Sequence, residues 1–81
     1  MLDRHAVLRQ LDTIVESYLD GHQTFETGAQ EVASILRPAT YLDFVVLLYS
    51  ESARLCVQRR PDHIRGLKLV RAGWHIANGM P

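Results

Sequence analysis

The sequence lacks the features that mark secreted and membrane proteins. It has one cysteine in 81 residues, so no disulfide can form within the chain, and a reducing cytoplasm is the expected compartment. The longest apolar run, Phe44 to Tyr49, is six residues long, far below the ~20 that cross a membrane. The first residues carry charge before any apolar block, so no signal peptide is predicted.

Motifs that carry chemistry are also missing. The sequence has no glycine-rich phosphate loop, no cysteine pair, no nucleophile elbow and no two histidines at metal-binding spacing. Cys56 falls on the apolar side of its predicted helix, which favours a buried structural thiol over a reactive one. We therefore expect neither an enzyme nor a bound metal or cofactor.

The composition is that of one small folded domain spanning residues 1–81. Apolar residues make up 47% of the chain, and nine basic residues balance nine acidic ones. The apolar fraction is sufficient for one hydrophobic core. The absence of net charge argues against a disordered charged tail and against a uniformly basic nucleic-acid coat.

Glycine and proline divide the chain into four segments with helical periodicity. Gly21, Pro38, Pro61 and Gly79 are the breaks, because glycine accepts the backbone conformation that ends helices and proline disfavours helix in the residue before it. The pattern predicts an all-α bundle of four helices, approximately 3–20, 25–37, 40–58 and 62–78. The side chains suited to cap the helix starts are Asp3, Thr24 or Thr27, Thr40 with Asp43, and Asp62.

The third segment is apolar almost all the way round, so we expect it to be the central and most buried helix. A single polar stripe along it is the expected outward side, with Leu47 in the middle of that stripe. Part of the flanking apolar surface would then remain open, unless the short second helix folds over it. The predicted protein-docking residues are Val46, Leu47, Arg54 and Val57.

The fourth segment combines glycine spacing with positive charge. Gly66 and Gly73 are seven residues apart on one face, which predicts a close crossing with another helix. Residues 1–53 contain three basic and eight acidic side chains, whereas residues 54–81 contain six basic and one acidic. The predicted basic ridge consists of Arg59, Arg60, Arg65, Lys68, Arg71 and His75.

This ridge has three interpretations. Arginine forks bind the carboxylates of a partner or the phosphates of a nucleic acid, and the acidic first helix offers partners within the fold. Together with the apolar third helix, the ridge favours a non-enzymatic protein-binding module that forms a homo-oligomer or binds another protein. Adaptors, chaperones and small inhibitors fit, including a phage-encoded inhibitor of a host nuclease complex such as an anti-CRISPR. The alternative is a nucleic-acid-binding regulator that uses the basic C-terminal third.

Overall fold

The computed structural model describes residues 2–79, which form the predicted all-α bundle. The four helices are α1 (Arg4–Leu19), α2 (Phe25–Leu36), α3 (Tyr41–Val57) and α4 (His63–Ala77). Each lies within one residue of the predicted bounds. No strand occurs between residues 2 and 79.

Three of the four helix starts are capped as the sequence predicts. Asp3 caps α1 by accepting a hydrogen bond from the Ala6 amide at 3.2 Å. Of the two threonine candidates, Thr24 caps α2. Thr40 and Asp43 form a reciprocal capping box at α3, with bonds of 3.1 and 2.9 Å.

The fourth prediction is wrong, because the Asp62 side chain makes no capping bond. Its two carboxylate oxygens instead accept hydrogen bonds from Arg60 at 3.1 and 3.2 Å. This charged pair lowers the pKa of Asp62, and it fixes the connection between α3 and α4.

The helix with the most extensive packing is α4, and not α3 as predicted: α4 and α1 each pack against all three other helices, whereas α3 packs mainly on these two. The glycine face of α4 explains the difference. A methyl group at Gly73 would lie 3.1 Å from the Ala29 carbonyl oxygen and would overlap the Val32 side chain. Glycine therefore lets α2 pack directly against α4, which confirms the predicted close crossing.

The position of α2 leaves α3 on the outside of the bundle. α2 packs mainly on α4 and α1, whereas α3 packs on the same two helices and makes little contact with α2. Phe44 of α3 stacks on Trp74 of α4, with ring centroids 4.6 Å apart and planes 6° from parallel. One long face of α3 is consequently left without a neighbour.

Candidate functional site

The charged residues of α3 face the interior of the bundle, contrary to prediction. Asp43 and Glu51 are buried, and Arg54 is partly buried against α1. The reason is electrostatic: α1 presents carboxylates at Asp12 and Glu16 that bind Arg54. Neutralisation of the arginines after residue 53 by the acidic first helix is one of the interpretations that the sequence supports, and Arg54 follows it.

Arg54 is the centre of a charge cluster between α1 and α3. Its guanidinium donates hydrogen bonds to both oxygens of Glu51, at 3.3 Å from Nε and 2.8 Å from Nη2, and from Nη1 to Glu16 at 2.9 Å. Glu16 also accepts a bond of 2.9 Å from Arg60, which continues the cluster to Asp20 at 3.4 Å. Burial opposes the charged form of Arg54, but the bonds to Glu51 and Glu16 outweigh it and raise its pKa.

Glu51 is the only charged side chain among residues 2–79 that is completely buried. Burial raises its pKa to about 7, and a hydrogen bond with Asp12 acts in the same direction, while Arg54 opposes both. Asp12 Oδ1 lies 3.0 Å from Arg54 Nε, but the single hydrogen on that nitrogen points to Glu51. Asp12 Oδ1 therefore has no hydrogen-bond donor while Glu51 is ionised.

A second ion pair holds the start of α3 against α1. Arg4 Nε donates to Asp43 Oδ1 at 2.8 Å, while Asp43 Oδ2 accepts from the Thr40 amide. The amide bond and the Arg4 guanidinium lower the pKa of Asp43. Both ends of the polar stripe of α3 are thus fixed to α1.

The solvent-facing side of α3 is apolar along its whole length. All seven exposed residues of the helix are uncharged, and they include five large apolar side chains that are 40% to 82% exposed. We call this surface the outer face of α3. It consists of Tyr41, Leu42, Val45, Tyr49, Ala53, Cys56 and Val57.

Of the four predicted docking residues, only Val57 lies on the outer face of α3. Leu47 is only 1% exposed and belongs to the core, so its predicted outward position is wrong. Arg54 is held in the charge cluster, and Val46 is half-buried. Val57 is 82% exposed and lies on the outer face.

Cys56 is exposed, which overturns the prediction of a buried thiol. The error has the same origin as the error for Leu47. Placing the polar stripe in solvent puts the opposite side of the helix, which carries Cys56, in the core. The charge cluster reverses both assignments.

A groove runs between the outer face of α3 and helix α4. It encloses about 460 Å³ and is lined on the α3 side by three apolar residues and one serine. Lys68 and Arg71 line the opposite wall. The full lining, which we call the α3–α4 groove, is Val45, Leu48, Tyr49, Ser52, Ile64, Leu67, Lys68 and Arg71.

The predicted basic ridge is not one continuous surface. Arg60 is bound by carboxylates and is not available, which the interpretation of neutralisation within the fold anticipated. Arg65 lies over the Tyr18 ring at 5.1 Å, and His75 lines a different groove, between α2 and α4. Lys68 and Arg71 remain together beside α3.

Neither a metal centre nor a membrane helix was found in the described part of the chain. No three metal-ligating side chains lie close enough together to hold an ion in residues 2–79. None of the four helices is long and apolar enough to cross a membrane. Comparison with known proteins found no matching protein-family model, no similar curated protein and no similar solved structure.

Proposed function

We propose that this chain is a non-enzymatic protein-binding module and that the outer face of α3 is its docking surface. The observation that carries the proposal is the reversed polarity of this helix: its exposed residues are apolar, while Glu51 is completely buried. Soluble monomers rarely expose a large continuous apolar patch, and such patches mark interaction sites.

The reversal is unfavourable for an isolated domain in two ways. Removing a carboxylate such as Glu51 from water costs several kcal/mol, which Arg54 only partly offsets. Leaving Tyr49 and Val57 in water also forgoes ~25 cal/mol for each Å² of apolar area that a partner would bury. Proteins depart from the usual polarity pattern at sites that function requires.

The proposal covers adaptors, assembly chaperones and small inhibitors, including phage-encoded inhibitors of a host nuclease complex. All of these act by covering or joining protein surfaces and need no catalytic group. The proposal places the chain in the cytoplasm, where a single exposed cysteine remains reduced.

The direct test is selection from a displayed library of helical peptides, with the wild-type protein as bait. Selected peptides should lose binding to Tyr49→Glu, because that change places a charge in the centre of the outer face. They should still bind Ile76→Glu, a matched change at an exposed apolar residue between α2 and α4. Failure to select any peptide, or equal binding to Tyr49→Glu and wild type, would refute the proposal.

A nucleic-acid-binding regulator is the second candidate, because Arg59, Arg65, Lys68 and Arg71 are exposed and make no ion pair in the described structure. It predicts binding to duplex DNA at low salt that weakens steeply as salt is added. The apolar side chains beside Lys68 and Arg71 argue against this candidate, since phosphates offer them no contact. Absence of binding at low salt would eliminate it.

A further inference from the structure

The formal net charge of this protein is zero, but several of its cations form no ion pair in the described structure. Three arginines, Arg4, Arg54 and Arg60, hold six of the nine carboxylates in ion pairs within residues 2–79. The other three carboxylates belong to Asp3, which caps α1, and to Glu26 and Glu31 on α2. The cations without an ion pair in this part of the chain are Arg9, Arg37, Arg59, Arg65, Lys68 and Arg71.

Two of these cations line the α3–α4 groove. Lys68 and Arg71 form its polar wall, and no carboxylate lines it. The opposite wall is apolar and continuous with the outer face of α3, through Val45 and Tyr49. A ligand for this groove therefore needs an apolar surface and, along one edge, negative charge.

The shape of the site fits an α-helix. The seventeen residues of α3 give a straight edge of about 25 Å at 1.5 Å per residue. A helix of similar length would place side chains at i, i+3 or i+4, and i+7 into the groove, a common mode of recognition. Carboxylates on residues that flank this apolar stripe, on the side facing α4, would reach Lys68 and Arg71.

A second copy of this chain fits less well, because its outer face offers no carboxylate to either cation. Two copies packed through α3 about a two-fold axis would instead bring both pairs of Lys68 and Arg71 to one interface. Like charges across an interface suppress association. A bilayer surface is also disfavoured, because the cations lie in the wall of a concave groove and not on a flat rim.

We infer that the α3–α4 groove binds an amphipathic helix of a partner protein whose apolar stripe is flanked by Asp or Glu on the side facing α4. The inference rests on the proposed function and specifies the partner of that same surface. Charge complementarity across the groove would mainly determine specificity and the rate of association, while the apolar stripe would supply most of the affinity.

The test uses three labelled helical peptides with one leucine stripe, flanked by Glu, Gln or Lys, and fluorescence anisotropy as the readout. We expect the Glu peptide to bind about tenfold more tightly than the Lys peptide. Added salt should reduce this preference. The double variant Lys68→Glu/Arg71→Glu should reverse it.

The matched control is Arg9→Glu/Arg37→Glu, which changes net charge equally at two cations that do not line the groove. The control should keep the preference for the Glu peptide. If net charge alone set the preference, both double variants would behave alike and the inference would fail.

The remaining outcomes separate this inference from the proposed function. If all three peptides bound with equal affinity and none bound to Tyr49→Glu, the inference of an acidic partner would be overturned. The proposal that the outer face of α3 is a docking surface would then still stand. Binding of none of the three would overturn the inference, and failure of the library selection as well would remove the proposed function. A Tyr49-dependent dimer in sedimentation, or tighter binding to phosphatidylserine vesicles or duplex DNA than to the Glu peptide, would also overturn the acidic-helix inference.

Discussion

Glu51 makes the stability of this domain fall as the pH rises from mildly acidic to neutral. Burial, followed by the hydrogen bond with Asp12, raises its pKa from 4.5 to about 7. Between these two values the folded state holds a proton that the unfolded chain has released, so raising the pH favours unfolding. The proton also supplies the donor that Asp12 Oδ1 otherwise lacks.

The size of the effect follows from the two pKa values. One pH unit within the window changes the free energy of unfolding by about 1.4 kcal/mol, so the full window corresponds to about 3 kcal/mol. A small domain has a urea m-value of about 1 kcal/mol/M. The urea midpoint should therefore be roughly 2 to 3 M lower at pH 7.5 than at pH 4.5.

The assay is urea unfolding followed by the fluorescence of Trp74, the single and buried tryptophan. The control is Glu51→Gln, which cannot titrate and retains every histidine of the wild type. Its amide can accept from Arg54 and donate to Asp12. The reasoning is refuted if wild type and Glu51→Gln show the same change in midpoint between pH 4.5 and 7.5.

The ion-paired aspartates act in a different pH range and with the opposite sign. The pKa values of Asp43 and Asp62 are lowered on folding, the first mainly by the Thr40 amide and the second mainly by Arg60. Their contribution is present above the unfolded value near 4 and is lost as the pH falls through the folded value. They therefore do not produce the loss expected between pH 4.5 and 7.5.

Two further predictions concern packing and can be checked by urea unfolding at one pH. Gly73→Ala should destabilise the domain by about 1 to 3 kcal/mol through overlap with Val32 and a tight contact with the Ala29 carbonyl, despite the better helix propensity of alanine. Gly66→Ala, which meets only side-chain ends, should cost less, and the reverse order would contradict the close α2–α4 crossing. Leu47→Ala should cost about 2 to 5 kcal/mol because Leu47 is in the core, whereas Tyr49→Ser should change stability by less than about 0.5 kcal/mol. Equal effects would contradict the orientation of α3.

The number, type and approximate ends of the helices were predictable because local chemistry determines them. Proline and glycine at the breaks, the Asp3 cap and the box formed by Thr40 and Asp43 act within a few residues. The crossing at Gly73 was also predictable, since a glycine face indicates close approach whichever helix supplies the neighbour. These features need no knowledge of how the helices are arranged.

The orientation of α3 was not predictable from its own residues. The helix carries a polar stripe and an apolar face, and on local grounds the polar stripe belongs in water. Which side faces inward depends on α1, where Asp12 and Glu16 are placed to receive Arg54. The assignments of Leu47 and Cys56 failed because they rested on the local rule.

The same arrangement connects the fold to the proposed function. Two charged hydrogen bonds tie the polar side of α3 to α1, one from Arg54 to Glu16 and one from Arg4 to Asp43. The helix cannot rotate to hide Tyr49 without breaking both. The charged bonds between α1 and α3 thus do more than join two helices: they keep the outer face of α3 exposed, where the proposed partner would cover it.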